Sequence, residues 1–185
     1  MAEKHIYVDP TLGFAEYVFV PENGDLSPAY APYVGTLPPA TERSFRQGGF
    51  AVPKDLTRED FRRSFDKLAQ LVALIHKDGI PIVAGTDSSG LELVRELELY
   101  VKAGFTPEEA LAAATVVPAR LVGVENSTGS IAVGRNADLV LVEGDPSHRI
   151  GDLRNTRWVM MDGYLMDADE LRKVSGFSGR PKMGD

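Results

Sequence analysis

The chain has no cysteine among its 185 residues. This absence excludes a disulfide framework, a thiolate metal site and a cysteine nucleophile. The sequence also lacks an apolar run long enough to cross a bilayer. Its first residues show neither the basic start nor the long apolar middle of a signal peptide. As written, the chain is therefore expected to be soluble, unexported and cytoplasmic, with no membrane partner, although the compartment of any longer parent protein stays open.

Basic residues are also fewer than acidic residues. The chain has 20 Lys and Arg against 27 Asp and Glu, which gives a net charge of −7 and a pI near 5.0. Because nucleic-acid binders present a basic face and no Lys/Arg run occurs here, we expect no nucleic-acid partner. The 43% hydrophobic content is sufficient for a buried core. Three scattered histidines, His5, His76 and His148, favour structural or surface roles over metal binding.

The most informative segment runs from Pro81 to Gly90. An apolar run ends at Asp87, and small polar residues follow before a helical pattern begins. In an α/β protein this pattern is typical of a buried strand that delivers one side chain to the mouth of the sheet, where catalytic groups gather. Asp87 is thus the principal candidate for a functional residue. The alternative is an aspartate that merely caps the turn after a buried strand.

The hydrophobic periodicity predicts the order strand, helix, strand, helices and then a small all-β end. A capping box at Thr57 and Asp60 starts a helix with one apolar stripe, and Thr106 starts another. Residues 20–55 are rich in Pro and Gly and are expected to form a long loop. The pattern predicts helices over 57–79 and 91–103 and from 106 onward, and strands over 6–8, 80–84, 137–142, 158–161 and 164–166.

Five phrases add a second kind of signal through their order and spacing. They are Lys4–Leu12, Ile82–Asp87, Arg95–Leu111, Ala113–Ile131 and Gly134–Val142. Each phrase alone is weak, but together they resemble the C-terminal part of the amidohydrolase superfamily, in its imidazolonepropionase-like or prolidase-like branch. The resemblance covers residues 1–166, which is nearly the whole chain.

The resemblance implies an α/β fold class. The chain would hold the last two strands of a metal-dependent (β/α)8 barrel with their following helices, and the C-terminal strands of a small accessory β-sandwich. Lys4–Leu12 would contain the seventh barrel strand, and Ile82–Asp87 the eighth. The expected regions are a partial barrel over 1–125, β-sandwich strands over 126–170 and a flexible tail over 171–185.

The resemblance also implies a chemistry. Members of the family hold one or two divalent metals, usually zinc, and an activated water attacks an amide, lactam or similar carbon of a small-molecule substrate. Asp87 would bind the metal and take the proton from the water. Asp9 and Thr11, which end the earlier strand, and Ser88 would contact the substrate. Asp9 followed by Pro10 is equally well explained as the start of a turn, and Ser88 as an ordinary small residue before a helix.

The departure from the family pattern is as important as the match. The other metal ligands of the family include a His-x-His pair, and this chain contains none. One carboxylate does not satisfy a zinc ion, which takes at least three protein ligands. We therefore expect a C-terminal piece of an amidohydrolase that is inactive alone, binds no metal tightly, and either self-associates or depends on a missing N-terminal half.

Two further hypotheses compete with a hydrolase. The first is a non-catalytic module whose unpaired strands and apolar flanks require a partner chain. The second is a small α/β protein that binds an anion over the helix after Gly90. Asp87 lies at the same mouth and would repel that anion, which counts against the second alternative.

Overall fold

The computed structural model describes residues 6–182, so His5 lies outside the described part of the chain. Helices dominate the first two thirds, and a small sheet follows them. The helices are α1 (Leu12–Phe19), α2 (Pro39–Phe45), α3 (Arg58–Lys77), α4 (Leu93–Lys102), α5 (Pro107–Ala113), α6 (Val116–Leu121) and α7 (Ala168–Val174), and the strands are β1 (Leu139–Val142), β2 (Thr156–Met161) and β3 (Tyr164–Asp167). Within residues 6–182 no helix combines the length and apolar character that a membrane span requires.

Two helices begin where the sequence predicts. At α3, the Asp60 backbone N–H donates to the Thr57 hydroxyl at 3.2 Å, and the Asp60 carboxylate accepts from the Thr57 N–H at 2.8 Å. Thr106 and Glu109 form the same reciprocal pair at α5. Because each capping box satisfies N–H groups that the first helical turn leaves unpaired, these starts are encoded locally.

The core is centred on α4, which packs against α1, α3 and α5. Leu97, Leu99 and Tyr100 are almost fully buried there. They form one cluster with apolar side chains from the neighbouring elements, namely Leu12, Phe65, Val72, Ile82, Phe105, Ala110, Ala113 and Ile150. Burial at about 25 cal/mol per Å² of apolar surface makes this cluster the main source of stability.

The two strands expected near residues 6–8 and 80–84 are not formed as strands. The segments run parallel and side by side, but they share one isolated bridge between Val8 and Ile82. The pairing ends because Pro10, the next residue in register, has no N–H to donate, and the Val83 carbonyl accepts instead from the Tyr100 hydroxyl at 2.9 Å. Each segment therefore lacks the continuous hydrogen-bonded ladder that defines a strand.

The strands after residue 137 are confirmed, with small shifts at their ends. They form an antiparallel sheet in the order β1, β2, β3. The β2–β3 turn places Asp162 at φ 50° and Gly163 at φ 80°, which is the backbone that a tight hairpin of this type requires. The carboxylate of Asp138 holds that turn by accepting from the Asp162 N–H at 2.9 Å.

The structure adds three helices that the sequence pattern did not predict. The expected loop over residues 20–55 contains α2, which starts with a proline at its first position, and a 3-10 turn at Ala31–Tyr33. Helix α1 follows the first extended segment directly. Helix α7 includes residues 171–174, the first four of the expected flexible tail. The division of the chain at residues 125 and 170 stays a prediction.

Candidate functional site

The edge at which the two extended segments end carries the predicted site residues. The Val8 N–H donates to the Pro81 carbonyl at 3.0 Å, and the Val83 N–H donates to the Val8 carbonyl at 2.9 Å. Because the segments are parallel, Asp9 and the loop that leads to Asp87 leave the same edge. The contact is close, since a Cβ added at Gly85 would overlap with the Asp9 carboxylate.

Asp87 lies on the surface of this edge. Its backbone has φ 50°, a left-handed conformation that aspartate adopts more readily than most residues. The residue is exposed, and its carboxylate makes no hydrogen bond within residues 6–182. Asp87 follows the buried residues Ile82 and Val83 after three half-buried ones, and the strand that was expected to precede it is not formed. An exposed, unpaired carboxylate is able to contact a ligand.

Thr11 and Ser88 lie in the loops on either side of Asp9 and Asp87. Thr11 precedes α1 with φ 46°, and its hydroxyl makes no capping bond to that helix. Ser88 is exposed and lies close enough to Tyr30 for its hydroxyl to lower the pKa of that phenol. The structure thus gathers Asp9, Thr11, Asp87 and Ser88 in two adjacent loops. Nothing in their contacts assigns a substrate to them.

A buried tyrosine–glutamate pair supports the loop that contains Ser88. Tyr30 and Glu92 are both fully buried, and the phenol donates a hydrogen bond to the Glu92 carboxylate. The Ser89 hydroxyl donates to the same carboxylate at 3.0 Å. Burial first, and then Glu92, raise the pKa of Tyr30 well above its usual value. Tyr30 is therefore a neutral donor that holds the start of the α4 region.

Glu96 holds the start of α1 against α4. This fully buried carboxylate accepts from the Leu12 N–H at 2.9 Å and from the Gly13 N–H, so it caps α1 from α4. Burial, and to a smaller extent the nearby Asp9 carboxylate, raise the pKa of Glu96 to about 7 although the two backbone donors lower it. The cap thus fixes the loop that contains Asp9 and Thr11 relative to α4.

The remaining polar groups of α4 also bind across elements. Arg95 donates two hydrogen bonds to the buried Glu16 of α1, at 2.7 and 2.8 Å. The Tyr100 hydroxyl donates to the Val83 carbonyl at 2.9 Å. Arg95 and Glu96 are neighbours in sequence but do not pair with each other. Both are buried, and each binds a different part of α1.

The described residues do not form a metal centre by themselves. Residues 6–182 contain no group of three or more histidine, aspartate or glutamate side chains placed to hold an ion. His76 stacks on Phe105 with ring centroids 3.7 Å apart, and it also lies 3.6 Å from Glu109. His148 is bound to Asp145 at 2.9 Å on the surface. Both histidines therefore have structural contacts, as the sequence predicts.

Sequence reasoning did not find the buried polar residues under the site. Glu92, Glu96 and Tyr100 recur every four residues, so they lie along one side of α4 and of the 3-10 turn that leads into it. A polar row at this spacing inside a leucine-rich helix is the signal that was available. Tyr30 lies in the Pro-rich segment and has no comparable signal, because its partner is 62 positions away in sequence.

Comparison with known proteins places these features in a family. A family model described as the amidohydrolase family matches residues 2–166. An imidazolonepropionase of Shewanella sp. (strain ANA-3) is 36% identical over 76 residues, which cover 38% of this chain and 19% of the relative. A 5'-deoxyadenosine deaminase of Methanobrevibacter smithii is 31% identical over 115 residues, or 54% of this chain and 26% of the relative. The chain therefore spans about a fifth to a quarter of these curated relatives.

Solved structures share the fold over a greater part of the chain. A Xaa-Pro dipeptidase with bound methionine in its active site superposes with a TM-score of 0.66 and 24% identity, covering 91% of this chain and 36% of the other. A prolidase complexed with N-methylphosphonate-L-proline superposes with a TM-score of 0.62 and 22% identity, and the match covers 90% of this chain and 36% of the prolidase. At these identities the likeness concerns the fold alone.

Proposed function

Because the chain belongs to the amidohydrolase family, we propose that it forms part of an enzyme that hydrolyses a carbon–nitrogen bond in a small molecule. The substrate class is an amide, a lactam or a small dipeptide. The observation that carries the proposal is the parallel contact of Val8 with Ile82, which brings Asp9 and the Asp87 loop to one edge. In open and closed parallel sheets alike, ligands bind at the carboxyl ends of the strands.

In this proposal Asp87 is the general base. Its exposed carboxylate accepts the proton of the water that attacks the carbonyl carbon, and it later supplies that proton to the leaving nitrogen. Asp9, Thr11 and Ser88 contact the substrate from the two loops. Tyr30, Glu92 and Glu96 are positioning residues, because they are buried and hold these loops without facing the edge.

The metal implied by the family is not accommodated by the described residues alone. Asp87 would supply one oxygen ligand, whereas zinc takes at least three protein ligands, and residues 6–182 offer no such set. We propose that the remaining ligands of a zinc or other divalent ion come from residues outside the 185. The metal would supply a Lewis acid that activates water. The chain alone should then bind no metal tightly and catalyse nothing.

The decisive experiment extends the polypeptide. The genomic sequence upstream of the first codon should encode an open frame with a His-x-His pair, and the longer protein should hydrolyse a panel of amides, lactams and dipeptides. Asp87→Asn should reduce kcat by at least about a hundredfold, as expected for loss of a general base. Asp162→Asn is the matched control, since Asp162 is also exposed with φ 50°. Equal loss in both variants would remove Asp87 from the mechanism.

A zinc titration of the 185-residue chain tests separately whether the remaining metal ligands lie outside it. We expect no stoichiometric site of nanomolar affinity, because one carboxylate is a weak and incomplete ligand set. A tight site that disappears in Asp87→Asn would contradict the proposal that the other ligands lie elsewhere.

Exposed apolar surface favours a second candidate, a module that requires a partner. Leu71 and Leu74 on α3 are 51% and 58% exposed, and Leu141 and Leu165 on the sheet are 61% and 58% exposed. The edge strands β1 and β3 each have one neighbour. Because unpaired edges and apolar faces attract other chains, we propose that these surfaces pack against the remainder of an amidohydrolase polypeptide.

Light scattering and thermal melting of the chain distinguish this candidate. Self-association, or a cooperative melt that appears only with added upstream polypeptide, would support it. A monodisperse monomer that melts cooperatively alone would contradict it, because the exposed leucines would then need no cover.

A further inference from the structure

A second concave site lies between α4, the 3-10 segment Ile150–Asn155 and the start of α5. The cavity has a volume of about 480 Å³, within the range of about 300–1,000 Å³ that is usual for small-molecule sites. None of the four candidate residues described above lines it. A ligand in this cavity would be independent of the proposed hydrolase activity.

The lining of this cavity is strongly basic although the chain is acidic. Five cationic side chains line it, from Arg95, Lys102, Arg149, Arg154 and Lys182, against two carboxylates, from Glu98 and Asp152. Glu16 pairs with Arg95 from outside the lining, so the site carries an excess of two positive charges in a chain with a net charge of −7. A concave surface of one sign concentrates ligands of the opposite sign.

The ion pairs inside the cavity leave donors unused. Glu98 accepts from Arg95 at 3.1 Å and also pairs with Arg154, so one carboxylate serves two guanidinium groups. The Arg154 side chain is only 6% exposed, and its Nε has no partner within residues 6–182. Arg154 shares its carboxylate with Arg95 and is only partly neutralised by protein acceptors, so its charge adds to the positive field of the cavity.

Two lysines contribute charge without a partner. Lys102 is the last residue of α4, and Lys182 is the last residue that the structure describes. Neither ammonium group lies within 4 Å of a carboxylate in the described part of the chain. Arg149, by contrast, is bound to the buried Asp152 at 2.6 Å. The lysines are therefore available to an anion at little cost to the existing ion pairs.

The other part of the lining is apolar, with Val101, Pro107 and Ile150 contributing. These side chains suit an organic group rather than a bare ion. We propose that this cavity binds a small phosphate monoester, with the phosphate against the arginine and lysine side chains and the organic group against Val101 and Ile150. A phosphate dianion neutralises more of the excess charge than a carboxylate does, and its oxygens match the guanidinium fork.

Calorimetric titration of the 185-residue chain with phenyl phosphate at constant ionic strength tests the proposal. Saturable binding is expected, with benzoate, which has the same ring but one negative charge, binding at least about tenfold more weakly. The double variant Lys102→Gln/Lys182→Gln should bind phenyl phosphate about tenfold more weakly or worse. Both lysines are exposed, so circular dichroism should show an unchanged fold.

The matched control is Lys67→Gln, which removes one exposed positive charge from α3, outside the cavity. It should leave the phenyl phosphate affinity unchanged. Three results would overturn the proposal: no saturable binding up to about 10 mM, equal weakening in the control and the double variant, or benzoate binding as tightly as phenyl phosphate. The last result would assign the cavity to carboxylates instead.

Discussion

The stability of the protein should depend on the ionisation of Glu96, and Glu96→Gln is the perturbation that isolates it. Burial raises the pKa of Glu96 from the usual 4.5 to about 7 in the folded chain. The folded protein therefore binds a proton more tightly than the unfolded chain does. Stability from this group is fully present below about pH 4.5 and is lost as pH rises through about 7.

The magnitude follows from that difference. A pKa change of about 2.5 units corresponds to about 3 kcal/mol of unfolding free energy. The glutamine side chain is neutral at every pH and its oxygen still accepts one of the two N–H groups at the start of α1. The variant should therefore gain up to about 3 kcal/mol relative to the parent chain between about pH 4.5 and pH 8.

Urea unfolding followed by far-ultraviolet circular dichroism at several pH values measures this difference. Glu108→Gln, on the exposed first turn of α5, is the control and should follow the parent chain. An opposite slope, with the parent chain losing stability on acidification relative to Glu96→Gln, would refute the reasoning. It would mean that the two backbone donors and the helix dipole outweigh burial, so that the ionised form is the favoured one.

Two further substitutions test the contacts around the candidate site. Gly85→Ala should destabilise the chain by about 1–3 kcal/mol, because the added Cβ overlaps with the Asp9 carboxylate. Its control is Gly90→Ala, which has open space at its Cβ and should change stability by no more than about 0.5 kcal/mol. Tyr30→Phe should cost about 1–3 kcal/mol, since it leaves a buried carboxylate with one donor fewer. Tyr17→Phe, whose hydroxyl has no hydrogen-bond partner within residues 6–182, should be close to neutral. Equal effects within either pair, measured by urea unfolding, would contradict the assigned contacts.

Several local elements form where the neighbouring residues alone predict them. Helices α3 and α5 begin at Thr57 and Thr106 because each capping box is complete within four consecutive residues. The Asp162–Gly163 hairpin is likewise encoded by residues that accept positive φ. Family membership was also visible in the order of short phrases, and the match over residues 2–166 confirms it.

Other features were settled by contacts between distant parts of the chain. Helix α1 has no side-chain cap of its own, and its first N–H groups are satisfied by Glu96, 84 positions from Leu12. The segments around Val8 and Ile82 have strand-like composition, yet they share a single bridge, because Pro10 has no N–H to extend it and the distant Tyr100 hydroxyl binds the Val83 carbonyl instead. The sequence alone determined the local starts and turns, the amphipathic stripes and the position of Asp87. Only the tertiary structure decided which carboxylates are buried, which backbone groups they satisfy and where the basic cavity forms, because hydrogen bonding and desolvation depend on neighbours that periodicity does not reveal.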